Sequence, residues 1–216
     1  MKTLVAIPCM DMMHTAFVQD LMKLDFRPLG EVAIHFRPNS LVYDSRNILA
    51  LDAIREGFDQ ILWLDSDMSF PRNMAEYFQD VINRFDADMV TGVYFKRKLP
   101  TQPVLYKTIV PPRRNNDGIA QCSIETYTDY PKDQIFPVAG CGFGAVLMRT
   151  DLCKRIIDRF GPAFYPFVWA GEDISFCYQA NQIGAKILCD SRIHLGHIGL
   201  HLYNDEDYKP EDNANE

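Results

Sequence analysis

The chain has 216 residues, 47% of them hydrophobic and 24% charged, a balance that excludes wholesale disorder and fibrous repeats and suffices for one sizeable core. A formal charge of −7 disfavours general nucleic-acid binding, with Lys96-Arg97-Lys98 as a local basic exception. No apolar run reaches bilayer length and residues 1–9 lack the apolar core of a secretory leader, so a cytoplasmic protein with no transmembrane segment is expected.

Residues 3–8 (Thr-Leu-Val-Ala-Ile-Pro) predict a short buried strand, and Asp11 is placed to cap a helix carrying Met13, Phe17, Leu21 and Leu24. A second strand is expected over 31–36, ended by Arg37-Pro38-Asn39. A helix over 44–56 follows, with Ile48, Leu51 and Ile54 on one side and Gly57 past its end. Ile61-Leu62-Trp63-Leu64 then suits a strand buried on both faces, delivering Asp65-Ser66-Asp67 at its carboxyl end, where open α/β sheets collect ligands. If the backbone stays extended, Asp65 and Asp67 share a face, and two converging carboxylates favour a bound divalent cation as compensator. The competing reading makes them turn residues between the strand and the helix that Pro71 opens.

That helix presents Met74, Tyr77, Phe78, Val81, Ile82 and Phe85, and 88–95 reads as a fourth strand. Strands alternating with helices predict a mostly parallel, twisted sheet with helices on both faces. There is no Gly-x-Gly-x-x-Gly and no Walker-type loop, which disfavours the dinucleotide and P-loop versions of that layout. From Leu99 onward the rhythm changes to short extended pieces, 104–107 and 121–127. They read as a small antiparallel part whose Pro-rich connection, 111–118, forms a mobile tip.

Gly140-Cys141-Gly142-Phe143-Gly144 leads into the apolar run 145–148. Its alternating glycines mark either a close backbone approach or a bulge. Thr150 is expected to cap a helix over 151–160. An aromatic stretch (Phe164, Tyr165, Phe167, Trp169) precedes Gly171-Glu172-Asp173, the start of a helix reaching about Gln182, and 185–189 is the last strand. His194 and His197 lie beyond it, before an acidic tail, 205–216, expected to be loose. The six cysteines form no C-x-x-C pair and suit buried, reduced thiols.

This order of elements and motifs resembles the GT-A glycosyltransferases, in particular the family 2-like enzymes of the small bacterial and phage type. The resemblance covers the chain to about Tyr203 and implies a GT-A-like domain over 1–204, with a nucleotide-binding half (1–98) and an acceptor half (99–204). It implies that Asp65-Ser66-Asp67 is the Asp-x-Asp motif holding a divalent metal against the diphosphate of a nucleotide-sugar, with Asp67 the direct ligand. Asp65 would lie towards the ribose and metal waters. It further implies that Asp173, beside Glu172, is the catalytic base of an inverting reaction, and that a late histidine, His197 or otherwise His194, is a metal ligand. Pro8, Cys9, Arg46 and Asn47 match positions around the nucleoside. Lys96 or Arg97 is placed to reach the phosphates. Mixed carboxylate and imidazole ligation favours Mn2+ over Mg2+. The implied donor is a UDP- or GDP-sugar and the partner a hydroxyl acceptor.

Two other readings start from the same residues. A haloacid-dehalogenase-like phosphatase also places Asp-x-Asp at a strand end, but after the first strand and with Thr or Val two residues past the second Asp, where this chain has Met68-Ser69. A non-catalytic sugar- or nucleotide-binding module would need no positioned base.

Overall fold

The structure, a computed structural model, describes residues 1–38, 41–114, 118, 120–199 and 202–207. In chain order the strands are β1 (Lys2–Pro8), β2 (Glu31–Arg37), β3 (Gln60–Leu64), β4 (Met68–Ser69), β5 (Met89–Val93), β6 (Leu105–Arg114), β7 (Ala120–Thr126), β8 (Ile135–Pro137), β9 (Gly140–Cys141), β10 (Ala145–Arg149), β11 (Ile187–His194), β12 (Gly196–Ile198) and β13 (Leu202–Tyr203). The helices are α1 (Thr15–Lys23), α2 (Val42–Arg55), α3 (Met74–Phe85), α4 (Thr150–Phe160) and α5 (Glu172–Gln182).

A seven-stranded sheet in the order β2-β1-β3-β10-β5-β11-β8 forms the centre. Strands β2, β1, β3, β5 and β11 run one way, and β10 and β8 run against them. The sheet is therefore mostly parallel, but the glycine-led β10 enters its middle in the opposite sense. Two smaller three-stranded sheets, β13-β12-β4 and β7-β6-β9, complete the architecture. The second contains the hairpin expected from the extended pieces; part of its connection, 115–117 and 119, and the tail from 208 lie outside the described residues.

Successive residues of β1 and β3 separate to opposite faces, as a period of two requires. Leu4, Ala6, Ile61 and Trp63 pack with α2, α4 and α5 on one face. Val5, Ile7, Leu62 and Leu64 pack with α1 and α3 on the other. Each fully buried large side chain of this kind contributes about 1.5–3 kcal/mol.

Three local expectations are corrected. Helix α1 starts at Thr15 with His14 at its N-cap and no side-chain cap, so Asp11 does not cap it. In α2 the buried face is Ser45, Arg46, Leu49, Ala50 and Ala53, whereas Leu51 is exposed, because the sheet takes the small residues and the guanidinium. Thr150 is already helical and Arg149 is the N-cap of α4. The cysteines are free, but Cys122 is exposed and Cys9 only partly buried. No helix among the described residues is long and apolar enough to cross a membrane.

Candidate functional site

Parallel β1 and β3 end side by side, which places the residues following both strands at one edge of the sheet. A cleft of about 230 Å³ opens there. Pro8, Cys9 and Met10 line it from the end of β1, Val42 and Ser45 from the start of α2, and Asp65, Ser66 and Asp67 from the turn after β3.

That turn is pinned from three directions. Asp65 N–H donates to the Gly144 carbonyl at 2.9 Å, Met68 N–H closes back on the Asp65 carbonyl at 3.1 Å, and Ile198 N–H donates to the Asp67 carbonyl at 2.6 Å. Since the strand stops at Leu64, the alternation expected of an extended chain does not govern these carboxylates. They take different partners.

Asp65 accepts two bonds from Arg46 Nη2, at 2.8 and 3.0 Å. Arg46 is buried, and its Nε lies 3.5 Å from Glu172 Oε1 at the start of α5. Its Nε and Nη1 have no hydrogen-bond partner among the described residues. The guanidinium instead faces aromatic rings, with Cζ 5.2 Å from the Phe143 centroid, 5.8 Å from Trp63 and 6.0 Å from Phe164. Cation–π attraction offsets part of the lost hydration. Burial opposes the charge of Arg46, yet Asp65, Glu172 and Asp173 outweigh it and hold the group above its usual pKa. Burial pushes Asp65 up to about 6, against the pull of Arg46 and with help from Asp67.

Asp67 faces His197 Nε2 at 3.5 Å and Arg97 Nη1 at 2.9 Å. Although burial would raise its pKa, these two neighbours hold it below the usual value. The other imidazole nitrogen, Nδ1, lies 2.9 Å from the Phe95 carbonyl. Because a carbonyl only accepts, Nδ1 carries a proton in either state of the ring; Nε2 donates to Asp67 when the ring is protonated and offers a lone pair on that side when it is neutral. His194 is turned away, with Nδ1 3.2 Å from Asp205.

Asp173 stands in the first turn of α5, its Oδ1 accepting from Ile174 N–H at 2.7 Å. A helix N-terminus would keep it firmly ionised, but burial and the adjacent Glu172 win and raise its pKa. Around this floor the alternating glycines serve close approach. A Cβ on Gly142 would lie 1.8 Å from Tyr94 Oη, and one on Gly144 would lie 2.7 Å from Met68 Sδ.

Pro8, Asp65 and Asp67 thus line the cleft, His197 meets Asp67 beside it, and Arg46 joins Asp65 to Glu172, the neighbour of Asp173. Asn47 does not present its amide there: Nδ2 donates to the Phe164 carbonyl at 2.7 Å and Oδ1 accepts from Phe164 N–H at 2.9 Å, tying α2 to the aromatic stretch. Lys96 Nζ turns to Gln102 at 3.3 Å, so Arg97 is the basic residue beside the turn. Trp169 packs on Phe167 and Tyr178, while Tyr165 is exposed. Sequence reasoning did not find Ser45, Tyr94 or the Phe143 and Phe164 walls. The glycine spacing pointed only to a close backbone approach or a bulge.

Among the described residues no three His, Cys, Asp or Glu side chains gather closely enough to hold a metal ion. Asp65 is committed to Arg46. The donor chemistry of Asp67 with an oriented imidazole lone pair does fit a divalent first-row cation with two protein ligands, the rest to come from substrate and water. Arg97 meanwhile supplies the counter-charge to Asp67.

This architecture, a mixed α/β fold built on a mostly parallel seven-stranded sheet, is consistent with a GT-A-like fold. Two of the solved structures similar to it illustrate the likeness. One is A197 from STIV, with a TM-score of 0.59 and 21% identity, covering 92% of this chain and 86% of that one. The other is GalNAc-T7 with UDP, GalNAc and Mn2+, with a TM-score of 0.58 and 12% identity, covering 96% of this chain. This chain spans 45% of the length of that GalNAc-T7 chain. No family model and no curated protein matches the sequence.

Proposed function

We propose that the protein is a metal-dependent glycosyltransferase that moves a sugar from a nucleotide-sugar to a hydroxyl acceptor with inversion. What carries the reading is one convergence at the carboxyl ends of β1 and β3: an Asp67–His197 donor pair and, across Arg46, a half-buried Glu172–Asp173 pair. A binding module has no use for a carboxylate whose pKa burial and Glu172 raise beside Arg46. A phosphatase needs a free oxygen on Asp65, and Arg46 engages both.

In this reading Pro8, Cys9 and Ser45 border the nucleoside of a UDP- or GDP-sugar, and residues 1–98 form the donor half. Asp67 and His197 hold Mn2+, with Mg2+ less suited to imidazole. When bound, the cation offsets the negative charge gathering on the departing diphosphate. Arg46 keeps Asp65 fixed at the floor, and Arg97 leaves Asp67 for the phosphate oxygens. Asp173 takes the proton of the acceptor hydroxyl as that oxygen attacks the anomeric carbon; a raised pKa makes it the stronger base. The likeness to a structure holding UDP, GalNAc and Mn2+ supports the donor and metal classes.

The test separates turnover from binding. Asp173→Asn should lose at least about 100-fold in sugar transfer or donor hydrolysis, while titration with UDP or GDP and Mn2+ should be unchanged. Unaltered turnover in Asp173→Asn would remove the base assignment.

A further inference from the structure

Strand β2 forms one edge of the central sheet and has a single strand neighbour, β1, among the described residues. It is not shielded as an edge usually is: Ile34 and Phe36 are 39% and 46% exposed on the same face. The hydrogen bonds at its ends show how its backbone is divided. Glu31 N–H donates to the Met1 carbonyl at 3.0 Å, and the Arg37 carbonyl accepts from Cys9 N–H at 3.1 Å. In a parallel ladder the odd-numbered residues of β2 are therefore spent on β1, and Val32, Ile34 and Phe36 turn their N–H and C=O groups outward.

About Ile34, Val32 and Phe36 are matching apolar positions and Glu31 and Arg37 carry opposite charges, with the small Ala33 set against His35. We propose that this edge pairs with the same edge of a second copy of the chain, antiparallel about a two-fold axis at Ile34. Ile34 then faces the partner's Ile34, and Val32 faces the partner's Phe36, both in hydrogen-bonded positions that use the outward groups. Glu31 faces the partner's Arg37 twice over, in a non-hydrogen-bonded position where side chains come closest. Only a self-complementary strand meets all these conditions in one register, and a second copy is the partner guaranteed to carry it. One strand pair buries less than a standard interface, so the dimer is weak and concentration-dependent. Because the strands run oppositely, the two clefts open at opposite ends of the joined sheet.

Sedimentation velocity on the full chain, from micromolar to sub-millimolar concentration, tests this, with far-UV circular dichroism as the fold control. Expected is a monomer–dimer equilibrium that Ile34→Lys abolishes. Glu31→Arg and Arg37→Glu should each weaken it at least about tenfold by setting like charges opposite one another, and the double variant should restore it. These exposed charge reversals keep the test decisive should Ile34→Lys fail to fold. A monomer at every concentration, a dimer indifferent to Ile34→Lys, or a double reversal no tighter than the singles would overturn the proposal.

Discussion

A guanidinium withdrawn from water needs more than one counter-charge, and Arg46 has Asp65 at 2.8 Å and Glu172 at 3.5 Å. Replacing it with Met leaves those carboxylates facing one another across an apolar wall. Asp65 keeps 28% of its side-chain exposure, so the cost falls below that of a fully buried pair, at about 1–3 kcal/mol. With the cation gone Asp65 rises above its pKa of about 6. It is then protonated and harmless at pH 5 but ionised and costly at higher pH, so urea unfolding should show a larger loss at pH 8 than at pH 5. Arg46→Lys keeps the charge but loses the fork, and should cost less. At Asp173 the sign also follows from the causes: burial and Glu172 raise the pKa, so the acid limb of kcat/KM lies above the ordinary aspartate range. Glu172→Gln removes the like charge and should move that limb to lower pH in a pH–rate profile.

Strand β10 shows what an element can hide. Its apolar residues and leading glycines are plain in sequence, but nothing local says that it runs against β3 and β5. The direction comes from the preceding excursion through β6 to β9. The glycines are explained by neighbours distant in sequence: Gly142→Ala would set a Cβ 1.8 Å from Tyr94 Oη. Overpacking there should cost about 1–3 kcal/mol in urea unfolding. Adding Tyr94→Phe should recover part of it, since the nearest remaining atoms lie at 2.9 and 3.0 Å. Helix α2 was legible as a helix, but not its buried face. An Ile-Leu-Ile stripe outranks Arg-Leu-Ala-Ala on hydrophobicity, and only the partners Asp65 and Glu172 make a buried arginine affordable.

At the scale of the molecule, the β-α rhythm up to β5 was readable because each strand is buried on both faces or bounded by turns, and each helix has an apolar stripe. Motif order made Asp65, Asp67, Asp173 and His197 readable as candidates. The pairing of individual groups was not. Arg97 rather than Lys96 beside Asp67, and Asn47 as a clamp on Phe164, depend on side-chain directions that spacing does not encode. The small β13-β12-β4 sheet was equally hidden, although it brings His197 beside Met68 and thus to the turn.

Isothermal titration of the purified chain with UDP and with GDP, each in Mn2+ and in chelator, tests the proposed function most directly. One nucleotide should bind only with the metal, and Asp67→Ala or His197→Ala should remove that dependence along with most of the affinity. Failure of both nucleotides to bind in Mn2+, or binding indifferent to chelator and to Asp67→Ala, would contradict a metal-dependent glycosyltransferase.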